Sequence, residues 1–179
     1  MRYASIRKMD ISNGEGIGVS LFVQGCKFMC LSCFNQEAWD FNGGKEWTPK
    51  VEEEFLELID RPYITRISIL GGEPLESVNV RQLYLLIKKI KERFSDKKIW
   101  LYTGFIYENL IIKDLETLLN STQTDEYRQS IVKLCDVLVD GQFETDKKDL
   151  TLKFRGSKNQ RVIDIQETLK QNKVVLYCD

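Results

Sequence analysis

Four short apolar runs constrain the fold of this chain more than any other feature. Val19-Ser20-Leu21-Phe22-Val23 ends at Gln24-Gly25, Arg66-Ile67-Ser68-Ile69-Leu70 runs into Gly71-Gly72, Ile99-Trp100-Leu101-Tyr102 meets Thr103-Gly104, and Val137-Leu138-Val139 meets Asp140-Gly141. Each run is rich in strand formers and too short for a helix. The stretches between them carry helical signals. Thr48 precedes Pro49, and Val51, Phe55, Leu58 and Ile59 recur at helical spacing before a break at Arg61-Pro62. Leu83, Leu86, Ile87, Ile90 and Phe94 give a second helix over Val80 to Phe94; two more are expected over Glu108 to Leu118 and Glu126 to Leu134. Strand and helix therefore alternate, which predicts an α/β fold: a single domain with a mostly parallel sheet and flanking helices. At 179 residues and 42% hydrophobic content the chain has the material for one such core. Beyond Gly141 it turns irregular and charged, with a closing strand expected over Val174 to Tyr177.

In a parallel sheet ligands collect at the carboxyl ends of the strands. Three motifs lie there: a cysteine cluster after the first strand, Gly71-Gly72-Glu73-Pro74 after the second, and Thr103-Gly104 after the third. Their coincidence on one edge points to one site.

The cysteines are Cys26, Cys30 and Cys33, spaced Cys-x3-Cys-x2-Cys. Three soft thiolates on one short loop suit an iron-sulfur cluster, and a missing fourth ligand leaves an open metal position for a reactant. Cys135 and Cys178 are far along the chain. A four-cysteine zinc knot recruiting one of them is the structural alternative, and a redox sensor another, though zinc sites made only of cysteine usually use two Cys-x2-Cys hooks. The chain has no histidine, which removes the commonest general base and every Ser-His or Cys-His arrangement. Difficult chemistry would then come from a cofactor. Acidic and basic residues nearly cancel, 27 against 26, and are interleaved, so no field for nucleic acid is implied. No apolar stretch is long enough to span a membrane and Met1-Arg2-Tyr3-Ala4-Ser5 lacks a signal-peptide core, so a cytoplasmic location is expected.

Cys-x3-Cys-x2-Cys after one strand with Gly-Gly-Glu-Pro after the next resembles the radical S-adenosylmethionine superfamily. Further blocks resemble one family within it, the activating enzymes of anaerobic (class III) ribonucleoside-triphosphate reductase: Asp10-Ile11-Ser12-Asn13-Gly14-Glu15-Gly16, Cys33-Phe34-Asn35-Gln36-Glu37-Ala38-Trp39, Trp100 to Phe105, Val137 to Phe143, and Phe154-Arg155-Gly156-Ser157-Lys158-Asn159-Gln160-Arg161. Ser32 stands where the superfamily often has an aromatic, in the manner of the activases; Glu15 stands where they usually have proline.

The resemblance implies a partial βα barrel in which Cys26, Cys30 and Cys33 are the catalytic metal ligands of a [4Fe-4S] cluster. Ser32, Cys33, Phe34, Gly71, Gly72 and Glu73 would bind S-adenosyl-L-methionine, with Glu73 facing its amino group. It implies reductive cleavage to a 5′-deoxyadenosyl radical, a glycyl radical on the large reductase subunit as protein substrate, and a flavodoxin- or ferredoxin-type electron donor. Activation of another glycyl-radical enzyme, of the pyruvate formate-lyase type, and a non-catalytic iron-sulfur carrier are the alternatives. Phe28, Phe34, Trp39 and Trp47 are expected to be core and shielding rather than cofactor contacts, Cys135 to be a buried small hydrophobe. Arg155-Gly156-Ser157 is expected either to cap a helix or to grip a partner.

Overall fold

A computed structural model of the chain describes residues 1–111 and 119–178. Eight strands form one open sheet: β1 (Arg2–Asp10), β2 (Gly18–Val23), β3 (Lys45–Glu46), β4 (Arg66–Gly71), β5 (Lys98–Tyr102), β6 (Val137–Asp140), β7 (Arg161–Asp164) and β8 (Leu176–Cys178), in the order β3-β1-β2-β4-β5-β6-β7-β8. The described helices are α1 (Pro49–Ile59), α2 (Ser77–Arg93), α3 (Tyr107–Leu110), α4 (Gln123–Leu134) and α5 (Ile165–Gln171).

The four strands read from the sequence are the parallel centre, β2-β4-β5-β6. Around it lie two antiparallel wings, β3-β1 and β7-β8, so the sheet is mixed where a mostly parallel one was expected. Of the wing strands only β8 was announced, by the run Val174 to Tyr177. In β1 only Tyr3 and Asp10 are buried, because most of the strand faces solvent and carries Arg2, Arg7 and Lys8. The unclosed sheet is consistent with a partial barrel.

Alternation sorts the central strands into two faces. Val19, Leu21 and Val23 of β2, Ile67 and Ile69 of β4, Ile99 and Leu101 of β5, and Leu138 of β6 all join the core under the helices. Each fully buried side chain of this kind contributes about 1.5–3 kcal/mol over leaving it in water. α1 docks there through Phe55, Leu56 and Ile59, started by Thr48, whose Oγ1 accepts the Val51 N–H at 3.3 Å. α2 docks through Val80, Leu83, Leu86, Ile87 and Ile90, and begins at Ser77, one turn earlier than its apolar spacing announces. A capping box between Thr122 and Asp125 likewise starts α4 at Gln123 rather than Glu126. Where a helix was expected over 108–118, α3 spans Tyr107–Leu110 and ends at Ile111, whose backbone is extended; 112–118 lie outside the described residues.

The opposite face carries Ser20, Phe22, Arg66, Ser68, Leu70, Trp100, Tyr102 and Val139, and among the described residues no helix contributes to the apolar cluster on it. Arg66, 1% exposed, donates to the Asp10 carbonyl at 2.7 Å, pairs with the Asp10 carboxylate at 3.3 Å, and reaches Ser68 Oγ. Asp10 in turn accepts the Ser12 and Asn13 amides at 2.7 and 3.0 Å. This knot pins the loop between β1 and β2 across one end of this face. Trp100 packs there against Phe154 and Tyr177. Among the described residues no helix is long and apolar enough to cross a membrane.

Candidate functional site

Because β2, β4, β5 and β6 run parallel, their carboxyl ends share one edge. The loops leaving them surround a cavity of about 680 Å³ that continues onto the Trp100 face of the sheet, where Phe22, Leu70, Tyr102 and Val139 form its floor. Cys26, Cys30, Cys33, Gly71, Gly72, Glu73, Thr103 and Gly104 all line it. The three motifs read from sequence thus meet in one place.

The cysteine loop is coiled tightly. Met29 and Ser32 both take left-handed backbone conformations, φ 48° and 59°, which cost a non-glycine residue roughly 1 kcal/mol or more each. The loop returns to the sheet through Gly25 N–H to Ala38 O (2.8 Å) and Cys26 N–H to Trp39 O (3.2 Å), and Cys33 N–H closes a turn onto Cys30 O at 3.0 Å. The cysteines are half-buried and unpaired. Burial pushes the Cys26 thiol up to about 11, against the amides of Phe28 and Met29; burial also raises Cys30, against the amide of Phe143. The Asn35 amide points at Cys33 Sγ at 3.4 Å. Without a metal Cys26 and Cys30 are therefore protonated near neutrality, and a bound metal would displace those protons.

This donor set fits an iron-sulfur cluster: three soft sulfurs in a half-buried cavity, with backbone N–H groups directed at them. Among the described residues no three His, Cys, Asp or Glu side chains are gathered closely enough to share a single ion. Cys135 is fully buried in the helix-side core, as expected, and Cys178 lies on β8 beside Trp100; neither lines the cavity, so the zinc-knot alternative has no geometry behind it.

The glycine motif packs backbone on backbone. A Cβ on Gly71 (φ 111°) would lie 2.7 Å from Phe22 Cα and from the Val23 backbone; on Gly72 it would lie 2.6 Å from Gly25 O and 2.8 Å from Ala38 O. Gly72 N–H donates to Val23 O, and Glu73 N–H to Gly25 O, both at 2.8 Å. The second loop is thereby bonded onto the root of the cysteine loop.

Glu73 lines the cavity, and protein donors hold its carboxylate. Oε1 accepts the Leu75 N–H at 2.8 Å and the Thr103 hydroxyl at 2.7 Å, and Oε2 accepts the Gly104 N–H at 2.8 Å. Burial pushes its carboxyl up to about 7, against these three donors. Its evident task is to tie the loop after β4 to the loop after β5. Thr103-Gly104 then supports Phe28, since a Cβ on Gly104 would lie 2.5 Å from that ring.

Ser32 does not line the cavity. The left-handed turn puts it on the exposed outside of the loop, away from the cavity lining. Phe28, Phe34 and Trp39 line the cavity, whereas Trp47 packs between Tyr3 and Phe55 in the helix-side core.

A fourth wall was not read from sequence. After β6 the chain runs as a strap, residues 142–160, over the cysteine loop and back. Phe143 meets Phe34 edge-on at 5.4 Å, and the Thr145 hydroxyl donates to Leu31 O at 2.6 Å. Gln160 holds the strap: its Oε1 accepts the Gly156 and Ser157 amides at 2.9 and 3.2 Å, while Nε2 donates to Gly141 O at 2.9 Å. Ser157 Oγ accepts the Glu144 N–H at 3.2 Å, so Ser157 bonds one arm of the strap to the other. Gly141 to Phe143 could have been found by extending the carboxyl-edge rule to β6. The polar signal of Arg155 and Gln160 could not be located without knowing where the strap runs.

Residues 12–163 match the family model for a 4Fe-4S single cluster domain. The chain is 36% identical over 164 residues to the anaerobic ribonucleoside-triphosphate reductase-activating protein of Salmonella typhi, covering 90% of this chain and 97% of that one. The protein of the same name from Escherichia coli strain K12 is 35% identical over 164 residues, with the same coverage. That of Enterobacteria phage T4 is 35% identical over 162 residues, covering 90% and 93%.

Proposed function

The chain belongs to the family of anaerobic ribonucleoside-triphosphate reductase-activating proteins and carries a 4Fe-4S single cluster domain, and from this premise we propose that it is a radical S-adenosylmethionine activase that places a glycyl radical on the large subunit of that reductase. Cys26, Cys30 and Cys33 would hold a [4Fe-4S] cluster with one iron open to S-adenosylmethionine. When bound, the pair supplies an electron and a 5′-deoxyadenosyl radical able to take a hydrogen atom from a glycine α-carbon. The observation that carries this reading is the meeting of three half-buried thiols with the bare Gly71-Gly72 backbone in one cavity.

The chain's own residues bind, orient and shield. The amides directed at the sulfurs offset negative charge on the thiolates. Gly71 and Gly72 line the cavity and let its second loop pack backbone on backbone against the root of the cysteine loop, and Cys33 and Phe34 form the neighbouring wall. Phe28, Phe34 and Phe143 exclude water from the sulfur side, which protects a radical from quenching. Glu73 keeps the two loops in register. Five unpaired cysteines suit a reducing compartment such as the cytoplasm, with a reduced flavodoxin- or ferredoxin-type protein as electron donor.

The test is anaerobic. Wild type and Cys30→Ala are reconstituted with iron and sulfide, reduced and given S-adenosylmethionine, and 5′-deoxyadenosine is quantified with and without the reductase. Wild type is expected to form it, and to give a glycyl-radical signal on the reductase by electron paramagnetic resonance; the variant should do neither. A wild-type cluster that forms but never cleaves S-adenosylmethionine, even with the reductase present, would reassign the chain as an iron-sulfur carrier.

A further inference from the structure

The charged residues lining the cavity are Arg7, Glu73, Asp149 and Arg155. Three are already engaged. Arg7 lies 3.8 Å from the Asp10 carboxylate and over the Phe22 ring; Glu73 is held by its three donors; Asp149 accepts from Thr151 and faces Lys158 at 3.5 Å. Arg155 is different: its Nε is buried with no acceptor, and no carboxylate among the described residues pairs with its guanidinium.

The backbone that carries Arg155 is firmly placed. The strap pinches at the Lys148–Ser157 bridge, with Asp149 N–H to Gly156 O at 3.2 Å and Lys158 N–H to Lys147 O at 2.9 Å. On one side of Arg155, Phe154 packs on Trp100 with ring centroids 5.0 Å apart. On the other, Gly156 lies so close to Phe34 and Phe143 that a Cβ there would be 3.3 and 3.1 Å from their rings. Phe34 directly follows Cys33. A cation is thus held over the Trp100 face, one residue from the strap's contact with the cysteine loop. Arg155 is half-buried, but its Nε is shut away from water with no acceptor, so the partner of that donor belongs to whatever fills the cavity.

Resting on the cofactor reading above, we infer that Arg155 is the carboxylate-binding residue of this cavity and takes the α-carboxylate of the methionyl part of S-adenosylmethionine. That is the ligand's one anionic group, and a guanidinium fork matches a carboxylate in shape as well as charge. A carboxylate has oxygens enough to serve a metal and a guanidinium together. Arg155 is therefore a positioning residue, fixing the methionyl end by charge.

The test is a binding cycle rather than an activity assay. Cluster-loaded wild type, Arg155→Met and Arg155→Lys are dialysed to equilibrium, without oxygen, against S-adenosylmethionine and against its decarboxylated analogue. Arg155→Met is expected to weaken S-adenosylmethionine by roughly tenfold to a hundredfold and the analogue by less than about twofold, since a charge-assisted bond is lost in one case only. Arg155→Lys keeps the charge without the fork and should recover part of the loss. The Gln160 and Ser157 bonds use main-chain groups of the strap, so both variants should keep the wild-type circular dichroism spectrum; should Arg155→Met not fold, the Lys variant decides on the same comparison. Equal weakening of both ligands, as contacts to the adenosyl end or a purely architectural role would give, overturns the inference, and so does no weakening of either. Wild type that binds neither ligand sinks the cofactor reading with it, a result distinct from the other two.

Discussion

Asp10 shows how one side chain organises a loop at the edge of the site. Burial pushes its carboxyl up, but the Asn13 side chain and the Ser12 and Asn13 amides outweigh that and hold it at about 2, below the ordinary 3.8. The folded state therefore stays ionised at an acidity where the unfolded chain has taken up a proton. Its stabilisation is present above about pH 4 and is lost as pH falls toward 2, an effect of about 2 kcal/mol. Asp10→Asn leaves Arg66 buried without its carboxylate and should cost roughly 3 kcal/mol at neutral pH. Urea unfolding of the cluster-free protein is expected to show the gap between wild type and variant closing on acidification; a gap independent of pH would mean that Asp10 is not ionised in the fold. At this same scale the sequence was a partial guide. The cysteines and glycines were legible because their chemistry is carried by residue type and spacing. Type and spacing say nothing of direction, however: three protein donors claim the Glu73 carboxylate, and a left-handed turn puts Ser32 on the outside of the loop.

At the scale of elements, the central strands and the two long amphipathic helices announced themselves through periodicity, since burial on one face leaves a repeating apolar trace. The wings did so only at β8, through the run Val174 to Tyr177. β1 is mostly solvent-facing, while β7 has four residues, too few for a period to register. The strap has no period at all and is held by side-chain to main-chain bonds. Its integrity depends on Gln160, which joins Gly156, Ser157 and Gly141. Gln160→Ala should destabilise the protein by about 1–3 kcal/mol, because two amides and a carbonyl lose their partner. Amide hydrogen exchange is the sharper measurement: Gly156 and Ser157 should lose protection while α2 and the central strands keep theirs. Uniform acceleration along the chain would argue that the strap is part of the global folding unit rather than a separately tethered wall.

For the whole molecule, the decisive feature is that the sheet has two unlike faces. One is sealed by helices; the other holds a smaller cluster around Trp100 and Val162 and the cavity. None of the three cluster cysteines belongs to either apolar cluster. Removing the iron is therefore expected to leave the fold standing: the cluster-free protein should keep its far-ultraviolet circular dichroism and a cooperative thermal transition. Loss of both on chelation, as in domains that fold around their metal, would mean that the cysteine loop is a stability element. The sequence by itself determined that strands and helices alternate, that three thiols hang from the end of the first central strand, and that a glycine loop follows the second, because apolar period and residue chemistry are local properties. Only the tertiary structure decided that the strap closes over those thiols, that protein donors hold the Glu73 carboxylate, and that Arg155 reaches the same cavity from more than a hundred positions away. Contacts across such separations depend on which elements the sheet brings together, and no local pattern encodes that.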